Sequence, residues 1–119
     1  MIDPPFQWQI VRVDLNPVRG SEQAGIRPAV IVSRESINLP LTVLSIIPMT
    51  TNRAGRRIHS SEVLLPSRKT GLPNDSVAMA QQIRTISKER ILLAYGIVAD
   101  EDLRAKVRQA IKVYLDLDE

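Results

Sequence analysis

The chain has 119 residues, of which 44% are apolar and 24% charged, with 16 Lys and Arg against 13 Asp and Glu. That length predicts one domain, 1–119, and the apolar content is too high for disorder. With no cysteine and a single histidine, His59, the composition excludes disulfides, thiolate zinc sites, a Cys nucleophile and any His–His metal motif, so neither a metal nor a cofactor is expected.

In chain order, residues 7–13 (QWQIVRV) are rich in β-formers and stop at Asp14-Leu15-Asn16-Pro17, a turn signal. Residues 29–33 (AVIVS) are a short apolar run fenced by Pro28 and Arg34-Glu35. Residues 42–49 (TVLSIIPM) predict another strand, in which Pro48 points to an edge or a bulge near its end. Residues 62–65 (EVLL) and 76–83 (SVAMAQQI) follow turn-rich connectors. Residues 87–90 predict one helical turn capped by Ser87. Residues 91–98 (ILLAYGIV) predict a strand with Gly96 as its weak point. Leu103, Val107, Ala110, Ile111, Tyr114 and Leu115 then recur at steps of three and four, an apolar helical stripe capped by Asp100. Five or six short strands and one terminal helix predict a small, partly closed antiparallel barrel, mainly β and α+β overall, with the helix packed on the sheet.

No apolar run approaches the roughly 18 residues of a membrane-crossing helix. Residues 1–6 lack the basic-then-apolar pattern of a signal peptide. A soluble, cytoplasmic protein with no membrane partner is expected.

Charge is unevenly placed. Residues 1–90 hold 12 basic and 7 acidic groups, whereas residues 91–119 hold 4 and 6. Several cations fall in polar, breaker-rich stretches: Arg19 and Arg27, then Arg53, Arg56 and Arg57, then Arg68 and Lys69. Basic loops on a small domain suit a polyanion, and a solvated surface is the alternative. Residues 14–28 (DLNPVRGSEQAGIRP) are the most informative segment, a long loop without apolar period between two strands. A polar loop closed by its own hydrogen bonds would read the same way.

Three blocks carry a resemblance. They are Val13-Asp14-Leu15-Asn16-Pro17 with Gly20-Ser21-Glu22-Gln23-Ala24-Gly25 and Arg27-Pro28-Ala29-Val30; Pro48-Met49-Thr50-Thr51-Asn52; and Gly71-Leu72-Pro73-Asn74-Asp75-Ser76-Val77 with Gln82-Ile83-Arg84-Thr85-Ile86. Together they resemble the MazF/PemK (Kid) toxins, endoribonucleases of bacterial toxin–antitoxin systems, over about residues 8 to 115. The resemblance implies an SH3-like antiparallel β-barrel with a C-terminal helix, assembled as a homodimer whose groove takes single-stranded RNA. It implies metal-independent cleavage to a 2′,3′-cyclic phosphate and a 5′-hydroxyl. It also implies a cognate antitoxin that threads a disordered segment into the same groove.

Cleavage of this kind needs a group that takes the 2′-OH proton, one that stabilises the phosphorane and one that protonates the leaving oxygen. By the resemblance, Arg27 contacts the phosphorane, with proton donation to the leaving oxygen as a second role that the high pKa of a guanidinium disfavours, and Thr50 holds the scissile phosphate or the 2′-OH. Glu22 either accepts the proton or orients Arg27 or Arg84 through an ion pair. Asn16, Arg19, Ser21, Gln23, Thr51, Asn52, Arg53, Arg56, Arg57, Gln82 and Arg84 are the expected RNA contacts. Two departures stand out: Ser21 replaces the His of some members, and Gln81 replaces an acidic residue before the Q-I-R-T block. His59, in the basic loop, is expected at the surface or against RNA. Trp8 is expected in the core, which leaves few stacking platforms. The rival reading is a non-catalytic SH3-like barrel that binds nucleic acid or a protein such as gyrase.

Overall fold

A computed structural model describes residues 2–17 and 19–117. Val18, in the loop singled out above, lies outside the described residues, as do Met1, Asp118 and Glu119. The described residues form strands β1 (Gln9–Asp14), β2 (Ile26–Ile31), β3 (Val43–Thr51), β4 (Glu62–Leu65), β5 (Ser76–Met79), β6 (Arg84–Ser87) and β7 (Ile91–Ile97). Three helices join them: α1 (Glu35–Asn38), α2 (Ser67–Thr70) and α3 (Glu101–Leu115). The sheet is antiparallel, in the order β4-β5-β3-β2-β1-β7, with β6 paired to the first half of β3. Among the described residues no pairing joins β4 to β7, so the sheet does not close fully, in keeping with the partly closed barrel expected. Register shifts of β7 against β1 skip Tyr95 and Leu92, and such bulges bend a sheet.

β3 organises the fold. On one side it pairs with β2, from Ala29–Pro48 to Ile31–Ile46. On the other it pairs first with β6, up to Ile46–Arg84, and then with β5 from Met49–Ala78. Pro48 lies at this change of partner, where its missing N–H leaves no ladder bond unmade. It is therefore buried in a central strand, not at an edge. Residues 76–83, expected as one strand, end as β5 at Met79, pass through a 3₁₀ turn at Ala80–Gln82, and resume as β6. The turn lets both halves reach β3.

Two apolar clusters fill the two faces of the sheet. One gathers Trp8, Ile10, Val30, Ile47, Met49, Leu65 and Val98 under Leu103, Val107 and Ala110 of α3. The other gathers Val11, Val13, Leu15, Ala29, Ile31, Leu44 and Ile46 with Ile2 and Phe6. Alternation along β2 sends Val30 to the first cluster and Ala29 and Ile31 to the second, as the pleat requires. α3 starts where expected: the Asp100 carboxylate accepts the Asp102 and Leu103 N–H groups at 3.0 and 3.2 Å. Its stripe is buried only as far as Ala110 and, in part, Ile111; Tyr114 and Leu115 are each 47% exposed. The helix packs on β4 and the Ala80–Gln82 turn, which leaves its last turn beyond the core. Trp8 is 4% exposed, with the guanidinium groups of Arg104 and Arg108 at 5.5 and 5.1 Å from its ring. Among the described residues no helix is long and apolar enough to cross a membrane.

Candidate functional site

The sheet brings the two principal sequence candidates together. Continuing the Ala29–Pro48 register by two residues places Arg27 opposite Thr50. Arg27 lies beside Val13 of β1, and its side chain is held by two carbonyls: Nε donates to Ala24 O at 3.0 Å and Nη1 to Met49 O at 3.4 Å. A guanidinium carries five N–H donors, so most of the fork stays free for an anion. Thr50, half-buried, pairs with Val77 of β5. The exposed Thr51 pairs with Ser76. Asn52 donates its N–H to Asp75 O at 2.8 Å, and its Oδ1 is buried without a partner among the described residues.

The loop between β1 and β2 is closed by local bonds. Leu15 N donates to Gly25 O at 3.0 Å, and Gly25 N donates to Asn16 Oδ1 at 3.0 Å. Arg90 Nη1 donates to the carbonyls of Asp14 and Asn16 at 3.0 and 2.5 Å. Asn16 therefore closes the loop with its side-chain oxygen, although it is exposed. Arg19 and Ser21 are exposed. Glu22 Oε1 accepts the Arg19 N–H at 2.6 Å. No ion pair joins Glu22 to Arg27 or Arg84 among the described residues; Arg27 is oriented by the Ala24 and Met49 carbonyls instead.

One side chain clamps this loop to the rest of the molecule. Gln82 Oε1 accepts the Gln23 N–H and Gln82 Nε2 donates to Ser21 O, both at 3.3 Å. A cavity of about 190 Å³ opens beside the clamp, lined by Glu22, Gln23, Pro48, Gln81, Gln82, Ile83 and Arg84. Residues 22–23 and 81–84, far apart in sequence, thus share one polar recess over the gap in β3 pairing. A larger cavity of about 480 Å³ between β4 and α3 holds none of the expected site residues.

The basic loop is less uniform than its composition suggests. Arg53, Arg57 and His59 are exposed. Arg56 is turned inward and its Nη2 pairs with Glu62 Oε2 at 2.9 Å. Glu62, whose side chain is 2% exposed, also accepts the His59 N–H at 3.1 Å and the Gln81 amide at 2.7 Å. Gln81 in turn accepts the Ser61 hydroxyl at 2.9 Å. Burial pushes the Glu62 carboxyl up; the Gln81 amide, the His59 N–H and the Arg56 charge outweigh it and hold the group below the usual carboxylate value. Sequence reasoning missed Glu62. Its only signal is an acidic residue opening an otherwise apolar strand just after an arginine-rich loop. Gln81 thus has a carboxylate against it from β4.

Comparison with known proteins agrees with the motif reading. Residues 6–115 match the model of the PemK-like, MazF-like toxins of type II toxin–antitoxin systems. Over 114 residues the chain is 41% identical to a Mycobacterium tuberculosis protein named endoribonuclease MazF9, covering 92% of this chain and 94% of that one. MazF from Deinococcus radiodurans superposes with a TM-score of 0.78 at 25% identity, over 95% of this chain and 97% of that one. A mycobacterial endoribonuclease solved with its cognate antitoxin gives a TM-score of 0.78 at 24% identity, over 98% and 99%.

Proposed function

Since the chain belongs to the PemK-like, MazF-like toxin family and is an endoribonuclease, we propose that it cuts single-stranded RNA by attack of the substrate's own 2′-OH, leaving a 2′,3′-cyclic phosphate and a 5′-hydroxyl. The observation that carries this reading is the Arg27 guanidinium braced by Ala24 O and Met49 O next to Thr50. A braced fork offers a permanent charge and parallel donors to the phosphoryl oxygens as the phosphorane forms. Thr50 supplies a hydroxyl that holds the scissile phosphate or the 2′-OH. Glu22, exposed on the adjoining loop, is the carboxylate available to take the 2′-OH proton, and the departing 5′-oxygen takes its proton from the Arg27 guanidinium or from solvent. No metal step is needed, because the nucleophile belongs to the substrate.

In this reading the exposed Arg19, Arg53 and Arg57 track phosphates, which position RNA without reading its sequence. Ser21, Gln23, Gln82 and Arg84 border the polar recess and supply donors and acceptors for an unpaired base edge. Asn16, Thr51, Asn52 and Arg56 support the same surface, Asn16 and Arg56 mainly by holding their loops. The active form is a homodimer in the cytoplasm, and a cognate antitoxin neutralises it by laying a disordered segment over the RNA surface, with the ordering cost such binding carries.

The test is a single atom. Replacing the ribose before a mapped cleavage point by 2′-deoxyribose should abolish cutting there and leave neighbouring sites and most of the affinity intact. Products should carry 5′-hydroxyl ends that a kinase labels directly, with or without EDTA. Cutting at the deoxy position, or 5′-phosphate ends, would defeat the mechanism; RNA that is bound but never cut would point to a binding module.

A further inference from the structure

Two loops carry most of the expected RNA contacts, residues 14–25 and 52–61, and among the described residues no strand pairing joins them directly. A chain of side-chain bonds does. From the basic loop, Arg56 Nη2 and the His59 N–H reach Glu62; Glu62 takes the Gln81 amide; the next residue, Gln82, clamps Ser21 O and Gln23 N. Ser61 fixes the other end of the Gln81 amide, which leaves that side chain one orientation. Every link but Glu62 is neutral or basic.

The chemistry of Glu62 argues for more than packing. A carboxylate with its side chain 2% exposed at the head of β4 is costly to bury, and an apolar residue of similar size fills such a place at no electrostatic cost. What an apolar residue cannot do is hold a guanidinium, a main-chain N–H and an amide at once. Removing those bonds would release Arg56 and the Gln81 amide independently, so that loop and recess would no longer present to a ligand in a common register.

We propose that Glu62 is a positioning residue that couples the basic loop 52–61 to the Gln81–Gln82 turn, and through Gln82 to the loop 14–25, fixing the two RNA-facing segments relative to one another. This rests on the reading of both loops as RNA-facing. Glu62 touches no reacting atom, so its loss acts on substrate capture more than on the chemical step.

The experiment uses the full-length protein and a short oligoribonucleotide spanning a site first mapped with wild-type protein on a long transcript. Glu62→Gln should raise KM about tenfold, within the range of coupling between linked sites, with kcat within about threefold of wild type. Should Glu62→Gln fail to fold, Ser61→Ala, which frees only the far end of the Gln81 amide, should raise KM in the same direction by a smaller factor. An unchanged KM in soluble, folded Glu62→Gln or Ser61→Ala overturns the positioning role alone. Wild-type protein that cuts no RNA overturns the reading of the site beneath it.

Discussion

Arg27 on β2 reaches across to β3 and donates from Nη1 to the carbonyl of Met49, at 3.4 Å, the residue immediately before Thr50. Its Nε is taken by Ala24 O at 3.0 Å. The guanidinium is thus oriented by main chain, and among the described residues no carboxylate pairs with it to compete for phosphate. Arg27→Ala is expected to lower cleavage by at least about 100-fold, the scale of losing one transition-state donor, with a much smaller loss of RNA affinity. Arg27→Lys should remain well below wild type, since a point charge does not reproduce the fork. Near-wild-type cleavage by Arg27→Ala would show that the site is misassigned.

Gln82 holds the long loop by two bonds of 3.3 Å, to Gln23 N and Ser21 O. Gln82→Leu removes both while filling similar volume. Cleavage should fall roughly 10- to 100-fold through misplacement of the loop, and the amides of residues 19–25 should exchange faster with solvent. Unaltered exchange in that stretch would mean the clamp does not restrain it.

Gly71 ends α2 at φ +82°, and a Cβ there would lie 2.7 Å from the carbonyl oxygen of Tyr95. The neighbour across this contact is Gly96, where a Cβ would meet Thr70 O at 2.9 Å. The glycine expected to weaken β7 instead lets the α2 turn lie against it. Gly71→Ala combines left-handed strain with a main-chain clash and should destabilise the protein by about 1–3 kcal/mol, read by denaturant unfolding. A loss below a few tenths of that would contradict the close approach.

Glu35 anchors the N-terminal segment, accepting the Phe6 N–H at 2.9 and 2.8 Å and the Gln7 N–H at 2.8 Å. Burial pushes its carboxyl pKa up, but the Gln7 and Phe6 N–H groups, Asn38 and Lys88 outweigh it and place the group below its ordinary 4.5. A folded-state value below the unfolded one adds stability that is complete above the ordinary value and is lost as pH falls through the folded one. Glu35→Gln should therefore cost about 2 kcal/mol near neutrality, and the two unfolding curves should converge as the solution is acidified below pH 4.5. A gap that persists unchanged into strong acid would assign the effect to packing.

By itself, the sequence determined those elements whose causes lie close along the chain. The EVLL run predicts β4 to the residue, the Asp100 cap and the Leu103–Val107–Ala110 step place α3, and Ser87 caps its turn by accepting the Glu89 N–H at 3.2 Å. The Arg27–Thr50 pair was legible through its motifs, because each residue sits beside a proline-marked strand segment that the family blocks share. What only the tertiary structure decided depends on which distant segment fills the neighbouring space. A continuous β-rich run at 76–83 hides the turn that splits β5 from β6, since the break exists to let both meet β3 on either side of Pro48. The Tyr114 and Leu115 stripe continues the helical period past the point where the core ends. Arg56 reads as one of three equal loop cations until Glu62, six residues on, draws it inward. Local spacing sets the strand, the cap and the turn; burial of a charge is settled only when remote donors converge on it, because only then is the cost of taking it from water met.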